Sequence, residues 1–527
     1  MTIMMIKMNK IKTIICATVA ALSLTACNDY LDIMPENSLP TENMWKSKSD
    51  VESALYAGYY NLRQSITTHL IPLGELRAGC TKRRSANNLD KLEIKPTDGT
   101  FTDWKAFYKI VSDANGVIAN AAKAKGNDAT YTEQEMNSHL CEAYWLRALS
   151  YFYIVRNWRD APLLLEPYET DEAEYYVPQS SEAEIIAQIK KDLATAISLG
   201  AAKESFDTTW ETKGRATIWA IYALMADVCL WNQEFDEAIK YADLILESKS
   251  AYAPRFITTA SHSGWFKIFN PGNSEESIFE LQYSASKQQG TGFQTNDLPQ
   301  LFYTNETTTY MLSENLTREM NRDANDIYTR FLGDQDMYGR TKFGGYWAAE
   351  NSNVGYVWKY IGGTTVSEPR TTNYYDPNFI IYRVSEMKLI KAEALVMRQM
   401  GANMADNEEA IRLVNDIRQR TNLLDVTLTA SSDFSSLLEM VMDEKIKEFI
   451  AEGKSWYDLL RVGRYTDPTG GINFITEFFI PYVINYNGTA SENKVKATLL
   501  DKNAWYLPVN ETEMTRNPKL KQNPYYE

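Results

Sequence analysis

Between Asn137 and Trp158 the residues Leu140, Tyr144, Ala148, Tyr151 and Val155 recur at steps of four and three, which is the spacing of one helix face. Pro162 is then expected to stop the helix. A second pattern opens after Gly214, where Ala216, Ala220, Ala223 and Asp227 share a small-residue face and Ile218, Ile221, Leu224, Met225 and Leu230 supply bulk. The polar turn Asn232-Gln233-Glu234 leads into another helix pattern, Phe235 to Leu246. Small residues on one helix and a short turn into the next allow two antiparallel helices to approach closely. The arrangement recurs with Val384 to Met397 followed by Ala410 to Arg420, and with Leu437 to Ile450 followed by Trp456 to Arg461.

These pairs look like tetratricopeptide-type hairpins, so the predicted fold class is all-α. They have no fixed period, because long stretches without helical pattern separate them, and a simple solenoid is not expected. The predicted insertions run roughly from His69 to Phe101 and from Ala251 to Asn378, both rich in Gly, Thr, Asn and aromatics. Short runs such as Ser277 to Tyr283 read as strands within them. Long insertions of this kind are often binding loops.

The N-terminus reads as an export signal. Lys7, Lys10 and Lys12 precede an apolar stretch from Ile14 to Leu24, too short to span a bilayer comfortably, and Leu24-Thr25-Ala26-Cys27 reads as a lipobox. Residues 1–26 are thus expected to be cleaved and Cys27 lipidated, leaving residues 27–527 as a single tethered domain. Formal net charge is −15, and the signal holds three lysines and no acid, so cleavage leaves −18. Such a balance disfavours nucleic acid as a partner. No second apolar stretch of spanning length exists, so the mature chain is anchored rather than inserted. Of the five cysteines only Cys80, Cys141 and Cys229 remain after processing, which is no disulfide framework. Cys141 and Cys229 read as small buried hydrophobes and Cys80 as a loop residue.

Several segments together resemble the SusD/RagB-like outer-membrane nutrient-binding lipoproteins. They begin at Cys27-Asn28-Asp29-Tyr30-Leu31-Asp32 and continue through Trp104-Lys105-Ala106-Phe107-Tyr108 and Glu142-Ala143-Tyr144-Trp145-Leu146-Arg147-Ala148. Then follow Trp265 to Phe269, Glu276 to Glu280, Glu452 to Arg461, and Trp505-Tyr506-Leu507-Pro508-Val509 with Asn517-Pro518 and Gln522-Asn523-Pro524. Lys454, where the family often has arginine, and Leu507-Pro508-Val509 depart conservatively from the pattern. The resemblance implies a tetratricopeptide-like scaffold, a loop-rich binding face, and a SusC-like TonB-dependent β-barrel transporter as partner. It implies cell-surface capture of oligosaccharides, or in some members peptides, without bond cleavage. A tethered glycoside hydrolase and a tetratricopeptide adaptor are the other readings.

No zinc motif, nucleophile elbow or redox cysteine pair is present, so no metal or other cofactor is expected. Glycoside hydrolysis needs only two carboxylates, which 69 acidic residues leave open, and it is the resemblance that implies no enzyme. Gly453-Lys454-Ser455 imitates the end of a phosphate loop, but the position five earlier is Glu448 and the segment reads as helix. Glu142, Arg147, Glu452 and Asp458 fall in helical patterns and read as ion pairs. For ligand binding, Arg83, Arg84 and Asn87 are candidate hydrogen-bond donors in the first insertion. Tyr303, Tyr346 and Trp347 are candidate stacking residues in the second. Trp104 and Trp265 read as scaffold.

Overall fold

Several helix starts fall where a polar side chain can satisfy the free N–H groups of the first turn. The computed structural model describes residues 44–527 except 84, 168–173, 260–264, 284–301, 303–309, 314, 317–356, 363–376 and 422. Within Ser47–Glu527, one compact unit, the first half contains α1 (Lys48–Gln64), α2 (Ile71–Glu75), α3 (Lys105–Asn127), α4 (Glu133–Trp158), α5 (Glu182–Ser198), α6 (Thr209–Gly214), α7 (Ile218–Trp231) and α8 (Phe235–Leu246). The second half adds α9 (Val384–Arg398), α10 (Met404–Arg420), α11 (Phe434–Glu448), α12 (Ser455–Arg464) and, near the C-terminus, α13 (Glu511–Arg516). Capping boxes start α1 (Ser47 with Asp50), α4 (Thr132 with Glu135) and α5 (Ser181 with Glu184). Asn403 and Asp433 cap α10 and α11.

The helices pack as consecutive hairpins, α1 on α3, α3 on α4, α4 on α5, α5 on α7, α7 on α8, α8 on α9 and α9 on α10. This bears out the predicted helical pairs, whose short connections force neighbours to lie side by side. The central helix α4 is covered on all sides from Trp145 to Trp158: Leu140 and Tyr144, read above as part of its core face, are only half-buried, whereas Ala148, Tyr151 and Val155 are buried along with residues of its other faces. It ends at Trp158, where Arg159 takes φ 65°, before the expected stop at Pro162.

The strands are short and join distant segments. β1 (Thr81–Arg83) pairs antiparallel with β5 (Tyr310–Leu312), and β2 (Ala161–Pro162) with β3 (Gln179–Ser180). β4 (Ser277–Leu281) pairs with β6 (Phe379–Arg383), with irregular register between Ser277 and Glu280. The strand read at Ser277 is thus borne out, and its partner lies at the far end of the middle insertion.

The first insertion differs from expectation at its start. His69 lies in a π-helical turn, Ile66–Leu70, that runs directly into α2, whose five residues are all buried. Pro72 sits in the first turn of α2, where its missing N–H is no loss. Gly74 has no side chain because the backbone of Gly453 occupies that space: a Cβ there would lie 2.0 Å from the Gly453 carbonyl oxygen. Cys80, Cys141 and Cys229 are buried free thiols.

Candidate functional site

The predicted basic cluster sits on a two-stranded ribbon linking the two insertions. Lys82 pairs with Met311 and Arg83 with Tyr310, and the Arg83 guanidinium carbon lies 6.0 Å from the centre of the Tyr310 ring. Burial pushes the Tyr310 phenol up to about 12. Asn87 shapes the turn that follows: its Oδ1 accepts the N–H groups of Leu89 (2.8 Å) and Asp90 (3.1 Å), and its own N–H donates to Asp90 Oδ2 (3.0 Å). The amide oxygen of Asn87 is therefore engaged with backbone rather than offered to solvent, while its buried Nδ2 has no protein partner. Arg84, Tyr303, Tyr346, Trp347 and Cys27 lie outside the described residues.

A second feature escaped the sequence reading. The inner face of α1 is formed by Val51, Leu55, Gly58 and Leu62, all buried. Tyr56 and Tyr60, one turn apart, point the other way and are 46% and 45% exposed. Trp210 on α6 is 49% exposed, and the three rings line an open cleft of about 420 Å³ with Arg63, Arg215 and Gln282. Two tyrosines on the polar face of an amphipathic helix, and one tryptophan in a polar run, were the available signals.

The floor of this cleft is rigid. The Tyr59 hydroxyl donates to Glu142 Oε2 (2.7 Å) and accepts the Ala216 N–H (2.9 Å). Arg215 grips the same carboxylate through Nη2 (2.6 Å) and Nε (3.0 Å) and lies over the rings of Phe206 (4.1 Å) and Tyr56 (5.5 Å). On the opposite wall Arg63 donates to the Gln282 carbonyl (3.2 Å) and stands 5.4 Å from the ring centres of both Tyr60 and Tyr283. Gly214 leaves room for Gln282, since a Cβ would lie 2.6 Å from its Cγ. Burial pushes the Tyr56 phenol up, so it stays neutral and able to donate. Flat apolar faces beside fixed donors and acceptors suit a ligand whose rings are apolar on their faces and polar at their edges.

The four charges expected on helices resolve as ion pairs, but Glu452 lies in the bend between α11 and α12 rather than on a helix. Arg147 binds Asp192 in bidentate fashion (2.8 and 2.7 Å) and Asn115 Oδ1 (2.8 Å), tying α4 to α5 and α3. Glu142 holds Arg215, Glu452 holds Arg383 and Lys359, and Asp458 holds Arg461 and Lys445. Gly453-Lys454-Ser455, expected within a helix, is instead a turn: Gly453 has φ 74° and α12 starts at Ser455. The buried Glu75 receives that turn, accepting the N–H groups of Gly453 (2.7 Å) and Lys454 (3.1 Å) and the Ser455 hydroxyl (2.7 Å), which leaves no place for phosphate. Trp104 and Trp265 are buried, as expected for scaffold. Among the described residues no group of three His, Cys, Asp or Glu side chains could hold a metal ion, and no helix is long and apolar enough to cross a membrane.

A run of consecutive helical hairpins carrying a ring-lined cleft defines the class of the molecule as a helical-hairpin scaffold. The family models agree: the SusD family matches residues 301–526, and a SusD-like family described as starch-binding and associating with the outer membrane matches residues 29–230. The chain belongs to the SusD/RagB-like family. A SusD-like protein of Formosa agariphila is 25% identical over 95% of this chain and 96% of its own. One from Bacteroides ovatus is 24% identical over 86% of this chain and 83% of its own. Among solved structures, a SusD superfamily protein from Bacteroides thetaiotaomicron superposes with a TM-score of 0.68 at 22% identity, covering 91% of this chain and all of that one. A laminarin-binding SusD-like protein gives 0.65 at 18% identity, with 91% and 100% covered. The helix-rich architecture is thus that of the SusD superfamily.

Proposed function

We propose that this protein is a surface lipoprotein, anchored to the outer membrane through Cys27, that binds oligosaccharides or polysaccharide fragments non-covalently and delivers them to a SusC-like TonB-dependent β-barrel transporter. The observation that carries this reading is the open cleft formed by Tyr56, Tyr60 and Trp210, whose rings are exposed at a rigid site where soluble proteins ordinarily cover large aromatics. The rings stack on sugar faces while Arg63, Gln282 and the Tyr56 hydroxyl meet hydroxyl groups at the ring edges. Arg83 and Arg84, with Tyr303, Tyr346 and Trp347 of the middle insertion, are further candidate contacts. The family description and the laminarin-binding neighbour support a glycan as cargo.

Capture without cleavage is supported by the state of the nearby acids. Glycoside hydrolysis requires two available carboxylates. Glu142 is held by Arg215 and Tyr59, which leaves Glu211 as the single acid among the described residues lining the cleft. Calorimetric titration of the purified full chain against neutral and acidic oligosaccharides tests the proposal. Trp210→Ala is expected to weaken binding about tenfold or more, roughly 1.4 kcal/mol, with the ligand recovered intact. Absence of heat with every sugar, or recovery of cut ligand, would overturn it.

A further inference from the structure

A second cleft lies where the N-terminus of α3 meets α13 and the extended segment leading to β3. It measures about 400 Å³ and shares no residue with the Trp210 cleft. Tyr175 and Tyr176 are 55% and 49% exposed along one wall, and the buried Trp104 forms part of the floor. Lys105, Glu513 and Arg516 stand on the rim.

The walls are held in place. Asn517 Nδ2 donates to the Val177 carbonyl (2.8 Å), the Tyr176 N–H donates to Glu174 Oε1 (3.0 Å), and Lys519 pairs with Glu174 (3.4 Å). The Tyr108 hydroxyl donates to the Pro162 carbonyl (2.6 Å), and Trp104 packs edge-on against Tyr108 and Trp158. The segment carrying Tyr175 and Tyr176 is therefore tied to the C-terminal chain while both rings stay exposed.

The composition repeats that of the first cleft: two exposed tyrosines, a tryptophan, an arginine beside a glutamate, and an amide side chain. The volume falls in the range of small-ligand sites, whereas a stable protein interface needs roughly 800 Å² from each partner. A rim bearing both signs, with Arg516 3.6 Å from Glu513, matches neither a polyanion nor a polycation but offers donors and acceptors to neutral hydroxyls. We infer that the Tyr175–Tyr176 cleft is a second, independent binding site for a neutral oligosaccharide, so that one chain holds a glycan at two points. This rests on the glycan reading of the first cleft. Two sites on one rigid chain raise the effective concentration of a tethered polymer, so a polysaccharide long enough to reach both is retained better than its fragments.

The test is calorimetry of the purified full chain with a panel of neutral oligosaccharides (α-glucan, β-glucan, mannan, xylan and galactan series), comparing wild type, Trp210→Ala and the double variant Tyr175→Ala/Tyr176→Ala. Two sites per chain are expected for wild type and one for each variant, together with at least tenfold weaker retention of the parent polysaccharide by the double variant. Tyr175→Phe/Tyr176→Phe, which keeps the rings, is expected to restore the second site and so separates stacking from misfolding. One site in wild type, lost with Trp210→Ala and untouched by the double variant, would overturn this inference and leave the first cleft standing. Two sites of which Trp210→Ala removes neither would overturn the assignment of the first cleft alone. No sugar bound by wild type would overturn both.

Discussion

Replacing Arg383 with methionine removes the central cation of a fully buried six-charge cluster. Glu276, Glu448 and Glu452 face Arg383, Arg420 and Lys359, and none of these side chains is more than 3% exposed. Arg383 donates to Glu452 (2.9 and 3.0 Å), Glu276 (3.2 Å), Glu448 Oε1 (2.5 Å), Ser385 (2.8 Å) and the Glu448 carbonyl (2.9 Å). Burial lowers Lys359 to about 8, so at pH 7 the three acids still face three bases and the cluster is neutral, and Arg383→Met leaves one uncompensated buried negative charge at similar side-chain volume. Breaking a buried pair from one side costs about 3–5 kcal/mol, and that loss is expected in urea unfolding of the purified chain at pH 7. The loss is also expected to depend on pH. In the wild type, burial works to raise the Glu452 carboxyl, but Arg383 and Lys359 hold it below the usual carboxylate range. Without Arg383 burial prevails, and the folded-state pKa of a cluster carboxyl rises above its unfolded value. The folded variant then binds a proton that the unfolded chain does not, so its deficit is smaller at pH 5 and grows as pH rises through the raised pKa. A deficit below about 1 kcal/mol, or one equal at pH 5 and pH 7, would refute the reasoning.

Burial pushes the Glu75 carboxyl up to about 7 against the pull of its four donors, Ser455, Lys454, Gly453 and Thr81. Because this folded value exceeds the unfolded one, wild-type stability falls as pH rises from about 4.5 to 7, by up to about 3 kcal/mol. Glu75→Gln is expected to remove that slope, and urea titrations across the window that show equal slopes would count against it. Cys27→Ser is expected to release the protein from the membrane fraction, since stable anchoring needs the acyl chains; retention on washed membranes would refute lipidation as the anchor.

The hairpins from α7 to α8 and α9 to α10 could be read directly because each helix keeps an apolar face and each junction is short and polar. Helix ends were less legible. At α4 the chain turns at Arg159 through a positive φ that no proline marks, and Gly453-Lys454-Ser455 became a turn because Glu75, nearly four hundred residues away in sequence, captures its N–H groups. The run His69 to Glu75 was taken for loop since its helical turns are too short to show a period. The ion-pair reading of Glu142, Arg147, Glu452 and Asp458 held, although their partners could not be named: Arg215 and Asp192 lie on other elements, and Arg383 is at the end of a strand. Of the candidate ligand residues, Arg83 proved to be part of a ribbon and Asn87 a turn former. The aromatic clefts were missed because each is assembled from short stretches of segments far apart in sequence.

By itself the sequence determined the helical hairpins and the family pattern, both of which are written in residues close along the chain. The tertiary structure decided which buried charge meets which partner, where the strands of the two insertions pair, and that Tyr56, Tyr60 and Trp210 share one cleft. Local spacing records which face of an element seeks the core, but only packing brings residues far apart in sequence to within reach of one another.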